Sequence, residues 1–279
     1  MSSQRIHTLD VTAQKLKANA RLSLKDQQLR HNMRSAMDSL ISKRLISMPD
    51  EDERENLREL GNKVRARALS QLPDLLEQLE ANLTQQGVQV HWASSTEEAN
   101  AIVLNIAQAH DAKNVIKGKS MVSEEMAMNE YLTAQGIEAL ESDMGEYIIQ
   151  LDNEKPTHII MPAIHKNAEQ VGRLFEHRLA LPYTDDVDSL IQSARGILRE
   201  KFFHADIGIS GVNFAVAETG TLLLVENEGN GRMSTSVPPV HIAVTGIEKV
   251  VATMQDTVPL LSLLTRSALG QGITTYVNM

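Results

Sequence analysis

Apolar positions recur every three to four residues through the first part of the chain and every second residue through much of the remainder. Leu29, Met33, Met37, Leu40 and Ile41 share one helical face, and Leu57, Leu60, Val64, Ala68, Leu72, Leu76, Leu79 and Leu83 repeat that spacing over a longer span. The spacing predicts helices only from about Asp10 to Gly87. Pro49 separates the two faces, the acidic run Asp50–Glu53 suits the positive end of the second helix, and Pro73 predicts a break or kink near Ser70.

From Val88 the pattern predicts alternating strands and helices. The strands are Val88–Ala93, Asn114–Gly118, Ile137–Glu141, Thr157–Met161 and Val240–Val244, with a strand-like run at Thr275–Met279. The helices are Ser95–Ala109, about Glu124–Gln135, Ala168–Arg178, about Val187–Phe202 and Val250–Leu264. Between Asp206 and Arg232 lie two extended runs joined at Glu218-Thr219-Gly220, a hairpin over Val212–Val225. In its first run the bulky Val212, Phe214 and Val216 alternate with Asn213, Ala215 and Ala217, so a helix backbone or a ligand must approach the small face. The fold class expected is α/β: an open, mostly parallel sheet with helices on both faces and an added antiparallel hairpin. A helical region over residues 1–87 precedes this unit at 88–279.

Composition narrows the function. Aromatic residues make up 3% of the chain, so the core is aliphatic, and a net charge of -9 disfavours nucleic acid and anionic membranes as partners. The chain has no cysteine, which excludes disulfides, cysteine nucleophiles and thiolate-held metals or clusters. The start lacks an apolar signal core and no apolar run reaches membrane-spanning length, so a cytoplasmic protein is expected.

Ligands of open parallel sheets gather beyond the carboxyl ends of the strands, which selects four places. Lys117–Glu125 offers a turn at Gly118, a cation at Lys119, and Ser120 before a helix start. That is an anion site without Walker spacing, or simply a capped helix. Glu141, Asp143 and Glu146 place three carboxylates after a strand, able to bind Mg²⁺ or perform acid–base work, with a structural role favoured because turns are rich in Asp. His165 stands between a strand and a helix, as a catalytic imidazole or a loop histidine bonded to backbone. No metal site is expected, since His158 and His177 fall on other elements. In the fourth place, Thr219, Gly220 and Thr221 form a turn, and Asn227, Asn230 and Arg232 lie in a glycine-rich loop suited to a small anionic substrate, or the two are an ordinary hairpin turn and a flexible loop. Glu226 beside them is a candidate nucleophile or base, or a surface carboxylate. Thr219, Thr221, Asn230 and Arg232 are expected to line one cleft with Lys119 and His165.

The runs Lys117–Glu125, Pro162–His165, Asp206–Leu222, Asn227–Arg232 and Val244–Lys249 together resemble the lactate utilization (LUD) domain family over nearly the whole chain. The resemblance implies a fold similar to the sugar-phosphate isomerase and CoA-transferase group. It also implies a part in a multi-protein system that oxidises L-lactate to pyruvate through iron–sulfur clusters, with other lactate utilization subunits as partners. Members with such a helical entry carry a cysteine-rich, ferredoxin-like region after the LUD domain. A [4Fe–4S] cluster is therefore expected only in a C-terminal region outside this chain, with no cofactor in the chain itself. A stand-alone enzyme of CoA-transferase or isomerase type, acting on a phosphorylated or CoA-linked molecule through Glu226, is the alternative. An architectural domain whose helical region docks a partner is a third. Nothing in the sequence decides against a homo-oligomer.

Overall fold

The computed structural model describes residues 13–274 and 276–279; the helix expected from residue 10 is described from Ala13. Four helices come first: α1 (Ala13–Ser23), α2 (Gln27–Ser47), α3 (Glu51–Ser70) and α4 (Leu72–Gln85). Asp26 and Asp50 cap α2 and α3 by accepting from Leu29 N and Glu53 N. The break expected near Ser70 falls at Gln71, and Pro73 sits in the first turn of α4, where its missing N–H has no partner to lose.

The α/β body continues through α5 (Thr96–Ala109), β1 (Asn114–Lys117), α6 (Met121–Glu125), α7 (Met128–Ala134), β2 (Glu138–Glu141), α8 (Met144–Leu151), α9 (Ala168–Leu179) and α10 (Val187–His204). It closes with β3 (Ile207–Gly211), β4 (Phe214–Val216), β5 (Thr221–Glu226), α11 (Asn230–Ser236), β6 (Val240–Val244), β7 (Val250–Val251), α12 (Met254–Leu269) and β8 (Tyr276–Asn278). No described helix is long and apolar enough to cross a membrane.

Two four-stranded sheets result. The first, in the order β2-β1-β3-β6, is parallel throughout; the second, β7-β4-β5-β8, is mixed. Strand alternation divides the first sheet between two helical layers. Val115, Ala139, Ile207 and Ile209 meet Val103, Ala107, Met128 and Leu132 of α5 and α7. Ile116 meets Tyr147, Leu198 and Phe202 of α8 and α10 on the other face. Phe214, Val216 and Leu223 of the second sheet pack on Val64 and Leu260 of α3 and α12. Its small face, Ala215 and Ala217, receives Leu75, Leu79 and Leu83 of α4.

A helix, not a ligand, therefore fills the small face. Asn82 Nδ2 donates to the carbonyls of Ala217 and Glu218, at 2.7 and 3.1 Å. Gly220 has φ +65, and a Cβ there would lie 2.9 Å from the carbonyl carbon of Asn82, so the turn needs glycine twice over.

Several sequence expectations need correction. Asp206–Val216 is not one strand: β3 belongs to the parallel sheet and β4 to the mixed one, with the crossing at Val212-Asn213. Val212 consequently packs with Ala215 and Ala217 rather than with Phe214. Val88–Ala93 forms no strand; it is a link to α5 with Trp92 45% exposed, an alternating run that pairs with neither sheet. Thr157–Met161 is likewise a loop, folded around His158 Nδ1, which accepts from the amides of Ile160 and Met161. The helix expected over Glu124–Gln135 is split into α6 and α7 at Ala127, which adopts φ +49. Val250 and Val251 are a strand, with α12 starting at Thr253 as its cap. Two short helices, α8 and α11, begin inside stretches read as carboxylate turn and glycine loop.

Candidate functional site

β1 and β2 end side by side at Lys117 and Glu141, which are register partners and therefore project from the same face of the sheet. Each closes an apolar strand with a charged residue turned towards α6 and α7. Lys117 is 1% exposed; its Nζ lies 2.7 Å from Glu141 Oε1 and donates to Ser123 Oγ at 2.8 Å. Asn129 Nδ2 of α7 adds a hydrogen bond of 2.6 Å to the same Glu141 oxygen. Glu141 Oε2 is buried and has no hydrogen-bond donor.

Immediately beyond the strands, Asp143 caps α8 by accepting from Gly145 N and Glu146 N, each at 3.1 Å. That cap turns Glu146 inward, where it is 5% exposed. Its Oε1 stands 3.5 Å from Lys119 Nζ yet accepts no hydrogen bond. Lys119 donates instead to the carbonyl of Ile160 at 3.1 Å, so the 154–167 segment lies over the cluster. Pro162 seats that segment on α8: a Cβ at Gly145 would meet its Cγ at 2.7 Å.

Burial, and next the Glu124 carboxylate, push the Glu146 carboxyl up to about 7, against an opposing pull from Lys119. Glu124 is raised chiefly by burial, partly offset by Lys117. The Glu228 carboxyl, accepting from Met144 N at 3.2 Å, is raised by burial and then by Asp143, although much of the residue faces solvent. Carboxyl groups outnumber lysines here, and the arrangement suits holding and exchanging protons.

The sequence-derived candidates assemble only in part: the loop of Asn230 and Arg232 abuts the Lys117–Ser120 turn, where a Cβ at Gly118 would lie 3.3 Å from Gly231 Cα, while the Thr219–Thr221 turn lies elsewhere. Lys119 and Ser120 are at this site, Ser120 as the buried cap of α6. Thr219, Gly220 and Thr221 form the turn against α4, where Gln86 Nε2 donates to Thr219 O and the two threonine hydroxyls bond each other. Asn230 and Arg232 follow the other end of β5, whose six residues put the two ends about 17 Å apart. Glu226 caps α11, accepting from Gly231 N at 2.5 Å and Arg232 N at 2.7 Å, with Asn278 Nδ2 at 2.9 Å. Both of its oxygens are thus engaged. Arg232 lies over the Tyr276 ring, 4.5 Å from the centroid, and Asn227 is exposed. Both ring nitrogens of His165 are taken, by Thr157 Oγ1 and Glu154 Oε2 at 2.7 Å each. Its carbonyl accepts from Gln28 of α2.

Lys117 and Glu124 were not singled out in the sequence. The available signal was a charged residue closing each of two consecutive apolar strands, since neighbouring parallel strands bring such ends together.

The family model of the LUD domain matches residues 76–279. Among curated proteins, one named Lactate utilization protein B from Bacillus subtilis (strain 168) is 45% identical over 204 residues, which is 73% of this chain and 43% of the relative. The protein of the same name from Bacillus pumilus (strain SAFR-032) is 40% identical over 273 residues, 98% of this chain and 58% of the relative. That from Bacillus cereus (strain AH820) is 47% identical over 204 residues, again 73% and 43%. The chain thus spans about half the length of these relatives. No solved structure matches it.

Proposed function

Since the chain belongs to the LUD domain family, we propose that it is the LUD part of a cytoplasmic lactate utilization subunit. In this reading it contributes to the oxidation of L-lactate to pyruvate beside other such subunits, with electrons leaving through iron–sulfur centres held elsewhere. The 40% identity to a Lactate utilization protein B over 98% of this chain carries the reading. A cluster does not fit the donor set of this chain, which has no cysteine thiolate. Its own residues are therefore read for binding and for proton handling. The buried Lys117–Glu141–Glu146 group at the strand ends, covered by the 154–167 segment, is the part of the domain suited to that work.

The test is a chimera in which this chain replaces the matched segment of the Bacillus subtilis relative, in cells lacking their own copy. Growth on L-lactate is expected. A soluble, full-length chimera that leaves the cells unable to use L-lactate, while they still grow on pyruvate, overturns the assignment.

A further inference from the structure

Five carboxyl groups converge on two lysines at the carboxyl end of the parallel sheet. Glu124 comes from α6, Glu141 from β2, Asp143 and Glu146 from the start of α8, and Glu228 from the loop after β5. Lys117 comes from β1 and Lys119 from the turn after it. From α7 the group receives only the uncharged Asn129, and from the 154–167 segment the Ile160 carbonyl, which occupies Lys119. Lys117 is closed off in its pair with Glu141 and Ser123. Two oxygens are left buried without a donor, Glu141 Oε2 and Glu146 Oε1, on residues each 5% exposed.

Buried carboxylate oxygens require donors, and a cluster with more acids than bases cannot stay fully ionised away from water. Among the described residues, no group of three or more acidic or histidine side chains has the geometry to hold a metal ion. The smallest occupant that supplies a donor and also removes a charge is a proton. We propose that Glu146 holds an exchangeable proton, and that it is the acid–base group of this site.

Its use in catalysis rests on the lactate reading. Oxidising L-lactate to pyruvate breaks one C–H and one O–H bond, forms a C=O bond, and releases two electrons and two protons. In that reading the electrons would go to iron–sulfur centres outside this chain, which leaves the two protons to be taken up. The ionised Glu146 is the base in this domain for the O–H proton, and the second proton passes to water.

Difference infrared spectroscopy on the whole chain tests the site. A carbonyl band of a protonated carboxyl is expected that disappears as pH rises through neutrality, is absent in Glu146→Gln, and titrates at lower pH in Glu124→Gln, where a repelling charge is gone. Should Glu146→Gln fail to fold, the Glu124→Gln shift decides alone. Persistence of the band in Glu146→Gln, an unmoved midpoint in Glu124→Gln, or a stoichiometric bound cation in place of the band overturns the proposal. In the chimera, Glu146→Gln is expected to lower L-lactate oxidation about 100-fold. A growing parent chimera with an equally active Glu146→Gln form removes the catalytic role and leaves the lactate reading standing. A non-growing parent with the band present removes the lactate reading and leaves the proton site standing.

Discussion

The carboxyl end of the parallel sheet and the Thr219–Thr221 turn of the mixed sheet both carry polar residues beside a strand end. They are finished in opposite ways. At the turn, the carbonyls of Ala217 and Glu218 receive a donor from Asn82 of α4 and that of Thr219 one from Gln86 at its end, and the threonine hydroxyls pair with each other. At the parallel sheet, Glu141 and Glu146 keep buried oxygens without donors around a sequestered lysine. Polar residues that satisfy one another locally hold a fold together, whereas buried ones left short of donors are available to something that arrives. The contrast separates a structural turn from a candidate site on chemical grounds, without recourse to position in the fold.

The largest effect is expected on removing the lysine. Lys117→Met strands the Glu141 carboxylate in the interior and is expected to cost about 3–5 kcal/mol by urea unfolding. Adding Glu141→Leu should recover a large part of that loss, because an apolar pair leaves no unpaired charge. Equal losses in the single and double variants would show that the cost is not that of a stranded carboxylate.

Next in size is the pH response of Glu146. Its carboxyl is raised from 4.5 to about 7 in the folded protein, so the folded state holds the proton more tightly than the unfolded one. The group therefore contributes its full stability below the ordinary glutamate range, loses it as pH rises from about 4.5 to about 7, and changes little above. The span is at most about 3 kcal/mol. Glu146→Gln should flatten it, and an unchanged pH profile of thermal unfolding in that variant would contradict the assignment.

The smallest effects belong to the turn. Asn82→Ala leaves two carbonyls without their donor and should cost about 1–2 kcal/mol. Thr219→Ala and Thr221→Ala should each stay within about 0.5 kcal/mol and leave L-lactate growth of the chimera unaltered. A clear growth defect from either threonine variant would return the turn to the list of candidate sites.

The layered α/β plan was legible because strand and helix periodicities differ and the longer segments obey them. What misled was local. Thr157–Met161 and Val88–Ala93 alternate like strands, but alternation reports only that one face is apolar, not that an edge is free to pair with it. Asp206–Val216 reads as one strand because nothing short of Val212-Asn213 marks the change of sheet. Of the site, Lys119 and Ser120 were visible as a helix entry, and Glu141, Asp143 and Glu146 as carboxylates following a strand. Lys117 was masked, since a lysine is ordinarily read as solvated, and its burial depends on Glu141, which is 24 residues away and joined to it by register alone. The expected single cleft failed because β5 puts Thr221 and Glu226 at opposite ends.

The crossing at Val212-Asn213 bears on how the molecule comes apart. The stretch Ile207–Val216 supplies an interior strand to each sheet, β3 to one and β4 to the other, and Asn213 clasps β5: its amide donates to Leu223 O and its Oδ1 accepts from Val225 N. Neither sheet can be peeled away without pulling on the spine of the other. Melting should therefore be a single cooperative event for the two sheets, with their central amides exchanging hydrogen only on global opening.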